Sequence, residues 1–128
     1  MVTKEGARAF TEAIEFLMKQ KPRKPFLWSD DLAKAANDHL IDVAPKGVTS
    51  GVGTNGSQPC DRIQKYGQID EAWAESSLYG VLNSKEVIER LIVCDGQPRR
   101  GFRHSVFSDD LKLCGIATSE HSTHENMV

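Results

Sequence analysis

Apolar residues recur at three- and four-residue spacing in two segments of the chain, and this spacing predicts two amphipathic helices. The first predicted helix covers residues 4–20, and its apolar stripe consists of Phe10, Ala13, Ile14, Leu17 and Met18. The second predicted helix has a stripe of Leu32, Ala35, Ala36, His39, Leu40 and Val43. Ser29 is expected to cap it, with Asp30 and Asp31 in the first turn, and it should end near Pro45.

The remainder of the pattern predicts a mixed helix-and-strand layered domain. Residues 21–28 contain two prolines and should be extended, and residues 47–57 should form a Gly/Ser-rich loop without a phosphate-loop signature. Ser57 is expected to cap a short helix that ends at Gly67, with Cys60, Ile63 and Tyr66 facing inward. A further helix should begin at Asn83 or Ser84 and bury Val87, Ile88, Leu91 and Ile92. Strands are predicted at residues 73–79, 106–107 and 111–118.

Length and composition limit the classes of function. The chain has 128 residues, 39% of them hydrophobic and 27% charged, with a net charge of −2. We therefore expect one domain over residues 1–128 and no nucleic-acid partner, because no strongly basic face is implied. No apolar run approaches the ~20 residues of a membrane span.

The cysteines do not suggest a disulfide framework. There are three, Cys60, Cys94 and Cys114, and no pair has metal-ligand spacing. Three buried thiols are the favoured interpretation, and one disulfide with one free thiol is the alternative.

Five sequence stretches resemble, in order, the motifs of the CAP superfamily, which comprises cysteine-rich secretory proteins, antigen 5 and pathogenesis-related 1 proteins. They are WSDDLAKAANDHLIDV, GTNGSQPCDRIQKYG, AESSLYG, LIVCDGQPRRGFRHSVF and LKLCGIAT. The resemblance is greatest to the short, cysteine-poor domains of bacteria and protists and covers roughly residues 7–126. It implies an α+β fold, an α-β-α sandwich with a central antiparallel sheet. It also implies a last strand that starts near Met127 and is truncated, so that the domain is incomplete.

The resemblance also locates a family cavity, in which many members carry two histidines and two carboxylates that can hold Zn²⁺. Gly51 and Phe102 occupy the two histidine positions, so both nitrogen donors are missing. Glu75 matches a family glutamate, and Ser76 replaces the asparagine that follows it. The resemblance thus implies a degenerate site without metal or other cofactor and without catalysis.

Further polar residues are candidate ligands or anchors. His104 could replace a lost ligand only if residues 102–104 were a strand, and a solvent-facing histidine is favoured. His39 is expected in the core with a backbone hydrogen bond. His121 and His124 should lie in a loop and not share a face. Glu75 is expected to be a partly buried structural anchor, compensated by Arg100, Arg103 or a backbone amide.

The sequence is compatible with three functions. The first is a non-catalytic module that binds a protein or a small lipid-like ligand, extracellular by family resemblance. The second is an intracellular structural subunit of a larger assembly, because residues 1–6 resemble no signal peptide and a partner could cover the edge of an incomplete last strand. The third is a metal-dependent hydrolase with rearranged ligands.

Overall fold

The computed structural model describes residues 3–69, 72–81 and 83–128. The helices are α1 (Ala7–Lys19), α2 (Asp30–Val43), α3 (Pro59–Gln64), α4 (Ser84–Val93) and α5 (Gly101–Val106), and the strands are β1 (Leu27–Trp28), β2 (Leu113–Cys114), β3 (Ser119–His121) and β4 (Glu125–Met127). The expected α+β class is confirmed in this broad sense. Two compact units are present: a first unit of Met1–Lys24 with Asn83–Asp109, and a second unit of Pro25–Leu82 with Asp110–Val128. No helix in the described part of the chain is long and apolar enough to cross a membrane.

The first unit packs α1 against α4, and α4 against α5. Its small core consists of Ala9, Ala13 and Val93, with Phe10 and Ile92 packed against them. The predicted helices are confirmed. The predicted inward face of α4 is wrong at Ile88, which is exposed, and the predicted stripe of α1 is wrong in part. Ile14, Leu17 and Met18 are exposed, whereas Phe16 is half-buried and contacts Phe107 at 5.4 Å between ring centroids.

Two arginines join the elements of the first unit. Arg103 is 1% exposed; it donates to both oxygens of Glu12 at 2.6 and 2.9 Å and to the carbonyl oxygens of Ile92 and Val93. Arg100 pairs with both oxygens of Glu5, at 2.6 and 2.8 Å. The predicted strand at residues 106–107 is wrong, because this segment ends α5, and the helix brings Arg103 onto the carbonyl end of α4.

Helix α2 forms as the sequence predicts and supplies the core of the second unit. The Ser29 side chain accepts a hydrogen bond from the amide of Leu32, which is the expected cap. Leu40 and Val43 pack in a buried cluster with Ala44 and Met127. A single turn of 3-10 helix, Ala44–Lys46, follows and ends at Gly47, whose left-handed conformation turns the chain.

Helix α3 begins one residue later than the sequence suggested. Gln58, not Ser57, is the N-cap, and it forms a capping box with Asp61. Cys60, Ile63 and Tyr66 are only half-buried, whereas Arg62 is 6% exposed. The inward face of this helix therefore carries a charge that the apolar pattern did not indicate.

The strands are shorter than predicted and form two separate ladders. Strands β1 and β2 pair in parallel, whereas β3 and β4 form an antiparallel hairpin. The predicted strand at 73–79 is wrong except at its end, where Tyr79 bridges Met127. The predicted strand at 111–118 is reduced to β2.

The end of β4 is paired on both sides within the second unit. Met127 pairs with Ser119 of β3, and it bridges Tyr79 on its other side. Leu78 and Val128 exchange both backbone hydrogen bonds, each at 2.9 Å. The expectation that a strand starting near Met127 leaves an unpaired edge is wrong for these residues.

The three cysteines are free thiols. Cys94 is buried, but Cys60 and Cys114 are half-buried, so the expectation of three buried thiols holds only for Cys94. Burial raises the pKa of the Cys114 thiol.

Candidate functional site

Glu75 is held by a buried arginine. Arg62 Nη2 lies 2.7 Å from Glu75 Oε1 and 3.0 Å from Oε2, and it also donates to the carbonyl oxygen of Gly51 at 2.9 Å. Nη1 of the same guanidinium donates to the carbonyl oxygen of Ser57 at 3.0 Å. The Arg62 side chain is 6% exposed and that of Glu75 is 18% exposed. This is the geometry of a structural anchor, and its partner is Arg62 rather than Arg100 or Arg103.

The structure brings together two of the four family-cavity positions. Gly51 precedes the 53–57 loop, and a Cβ atom built on it would lie 4.0 Å from Glu75 Oε1. Ser76 is half-buried beside Glu75 in sequence. Sequence motifs alone had assigned Gly51 and Glu75 to one cavity, and Arg62 connects them.

Phe102, the fourth family-cavity position, and His104, the candidate replacement ligand, lie on α5, in the first unit. Phe102 is half-buried and His104 is exposed, as a solvent-facing histidine should be. The strand geometry that would place both side chains on one face is wrong, because residues two apart on a helix do not face each other.

A polar cleft lies beside Arg62, between α2, α3 and the 53–57 loop. It has a volume of about 310 Å³ and is lined by Asp38, His39, Asp42, Asn55, Ser57, Asp61, Arg62 and Lys65. The apolar stripe of α2 turns one face of the helix into the core, and this places Asp38 and Asp42, one turn apart, along the cleft. Three carboxylates, two cations and a histidine thus meet at one concave surface.

Cations and hydroxyl groups at the rim keep two of these carboxylates ionised. Asp38 Oδ2 accepts from Lys65 Nζ at 2.6 Å and from the hydroxyl of Tyr66 at 2.8 Å, and these hydrogen bonds lower the pKa of Asp38. Asp42 accepts from Lys46 Nζ at 2.6 Å and from the amide and hydroxyl of Thr54. Lys46, followed by Thr54, holds the pKa of Asp42 well below its usual range.

Two of the residues that line the cleft carry a buried nitrogen atom without a hydrogen-bond partner among the described residues. His39 is 2% exposed, and its Nε2 lies 2.8 Å from the carbonyl oxygen of Ser50, which confirms the expected core histidine with a backbone hydrogen bond. Its other ring nitrogen, Nδ1, is buried without a partner, and so is Nε of Arg62. Buried polar atoms normally have partners, so both atoms require a further group.

Arg62 could not be predicted as a buried residue, because arginine in a short helix is expected at the surface. The core position of His39 follows from the apolar stripe of α2, but the partners of each ring nitrogen depend on residues distant in the sequence, such as Ser50.

The second histidine pair is also closer than expected. The expectation of a loop is wrong for His121, which ends β3, but holds for His124, which lies in the hairpin turn. The hairpin brings the two histidine rings to 5.2 Å, beside the ring of Tyr79. His121 Nδ1 accepts from the amides of Thr123 and His124, each at 3.2 Å. His121 therefore organises the hairpin turn.

Within the residues that the structure describes, no group of three or more His, Cys, Asp or Glu side chains is arranged to hold a metal ion. Comparison with protein-family models, with curated proteins and with solved structures gave no match.

Proposed function

We propose that this chain is a non-catalytic binding module with a CAP-type α-β-α sandwich fold, whose family cavity has become structural and whose ligand site is the cleft between α2 and α3. The observation that carries the proposal is the Arg62–Glu75 pair. Both oxygens of the Glu75 carboxylate contact the buried Arg62 guanidinium, so lone pairs that a metal ion would use are already engaged in hydrogen bonds.

The position of Glu75 supports the family assignment. The CAP motifs require the glycine-rich loop and the glutamate of AESSLYG to approach each other, and Gly51 and Glu75 do so through Arg62. An extracellular location belongs to the same proposal.

The polar lining of the cleft favours a small polar ligand over a lipid-like one. A lipid tail would strip water from Asp38, Asp42 and Asp61 without replacing their hydrogen bonds, which is unfavourable. The volume of about 310 Å³ is at the lower end of the range for small-molecule sites.

Two measurements test this function. Calorimetric titration of metal-free protein with Zn²⁺ should show no one-to-one complex; sub-micromolar binding that disappears in Glu75→Gln would favour the metal-dependent hydrolase.

In two-dimensional NMR spectra of the labelled chain, at least one class among small amines, carboxylates and polyols should shift the signals of amides around the cleft. If no compound class does so, the binding module is refuted.

A further inference from the structure

His39 and Arg62 both line the cleft, and each carries a buried nitrogen atom that has no hydrogen-bond partner among the described residues. The carbonyl oxygen of Ser50 can only accept, so His39 Nε2 must carry a hydrogen, and in the tautomer with its single hydrogen there Nδ1 has a free lone pair. Arg62 Nε carries an N–H that no described residue accepts. A single group that satisfies both atoms must therefore donate a hydrogen bond to His39 Nδ1 and accept one from Arg62 Nε.

The carboxylates of the cleft add acceptors with spare capacity. Asp38 accepts through Oδ2, and none of the described residues donates a hydrogen bond to its Oδ1. Asp61 Oδ2 accepts from the amide of Gln58 at 2.8 Å, which leaves lone pairs on both of its oxygens. Several acceptor atoms of the cleft can therefore receive hydrogen bonds from donors on a ligand.

The charges of the lining argue against strongly ionic ligands. An anion would face Asp38, Asp42 and Asp61, and a cation would face Lys65 and Arg62. A hydroxyl group is uncharged and both donates and accepts, so it matches His39 Nδ1, Arg62 Nε and the carboxylates together.

We propose that the cleft between α2 and α3 binds a neutral polyhydroxylated molecule of the sugar or polyol class, whose hydroxyls donate to His39 Nδ1 and accept from Arg62 Nε. This inference rests on the proposed binding function and names the ligand class for that site. Lys65 and Asn55, at the rim, supply further polar contacts of the kind that such a ligand uses.

The test is an NMR titration of the full chain, labelled with ¹⁵N, with glucose, mannose, N-acetylglucosamine and myo-inositol at millimolar concentrations. At least one compound should shift the NMR signals of the backbone amides around the cleft, and the shifts should saturate with concentration. It should also change the ¹⁵N chemical shift of His39 Nδ1, which can be measured in the parent chain without any variant. His39→Gln retains a donor at the place of Nε2 and deletes the Nδ1 acceptor. It should weaken binding about fivefold, as expected for one hydrogen bond. His124→Gln, at the hairpin of the same unit, is the matched control and should bind like the parent.

The outcomes separate the ligand class from the proposed function. If charged compounds shift the cleft amides and none of the four neutral compounds does, the sugar or polyol class is overturned while the binding module stands. If no compound of any class shifts them, the cleft is filled by water alone and both are overturned. If His39→Gln is too unstable to study, an unchanged His39 Nδ1 signal in the saturated parent overturns the assigned contact.

Discussion

Arg62 Nη2 contacts both carboxylate oxygens of Glu75, at 2.7 and 3.0 Å, and the same nitrogen reaches the carbonyl oxygen of Gly51. One guanidinium thus joins α3, the approach to the 53–57 loop and the segment that carries Glu75. Breaking a buried ion pair leaves an uncompensated charge, so substitutions that remove the Arg62–Glu75 pair should lower the free energy of unfolding.

Arg62→Met should lower the free energy of unfolding by about 3 kcal/mol, because Glu75 and two backbone carbonyls lose their donor. Adding Glu75→Gln to that variant should recover part of the lost stability. Urea denaturation of the parent, the two single variants and the double variant gives the coupling energy between Arg62 and Glu75. The control is Arg23→Met, which breaks the exposed pair with Asp109 and should cost less than ~1 kcal/mol. Equal effects of the two arginine substitutions would show that the Arg62 pair is not an anchor.

Acid should destabilise the first unit through Glu5. The hydrogen bond from Arg100 lowers the pKa of Glu5 from 4.5 to about 2. The unfolded chain therefore binds more protons between these values, and stability rises with pH across this window and is lost as pH falls through it. Glu5→Gln should flatten the stability profile between pH 4.5 and about 2, whereas Glu15→Gln, at an exposed position of α1, should leave it unchanged. A profile in Glu5→Gln as steep as that of the parent would contradict the Arg100 contact.

The hairpin should depend on His121. His121→Phe keeps a ring beside Tyr79 but removes the acceptor of two backbone amides, so unfolding should become easier by about 1–2 kcal/mol. Hydrogen exchange at the amides of Thr123 and His124 should accelerate in the same variant. His124→Phe alters the exposed ring of the pair and should change stability little. Unaltered exchange in His121→Phe would mean that the turn is held by other contacts.

Gly115 should not tolerate a side chain. A Cβ atom there would lie 2.5 Å from the carbonyl carbon of Leu32 and would also clash with the amide nitrogen of Ala33, both in the backbone of α2. Gly115→Ala should therefore cost about 3 kcal/mol, as overpacking against an immovable neighbour does. At Gly67 a Cβ would meet nothing within 4 Å, so Gly67→Ala is the matched control and should leave the melting temperature nearly unchanged. Similar melting temperatures for the two variants would contradict the close approach of Gly115 to α2.

The helices could be predicted from the sequence because their signals are local. The spacing of apolar residues and the caps at Ser29 and Asn83 lie within one or two turns of the helices they define, and both caps form as expected. The strands could not be predicted well, since β1, β2, β3 and β4 are two or three residues long and too short for a period of two to be distinctive. A strand is predicted at residues 106–107, yet residue 106 ends helix α5.

The candidate site, like the fold, could be predicted from the sequence only in part. The sequence pattern by itself determined that His39 faces the core, and the resemblance of its motifs led us to expect Gly51 and Glu75 near each other. Only the tertiary structure decided that Arg62 neutralises Glu75, that Arg100 and Arg103 pair with Glu5 and Glu12, and that His39 Nδ1 and Arg62 Nε are left without partners. The physical reason is that a buried charge is compatible with folding only beside its partner, and the Arg100 and Arg103 partners lie 88–95 positions away along the chain.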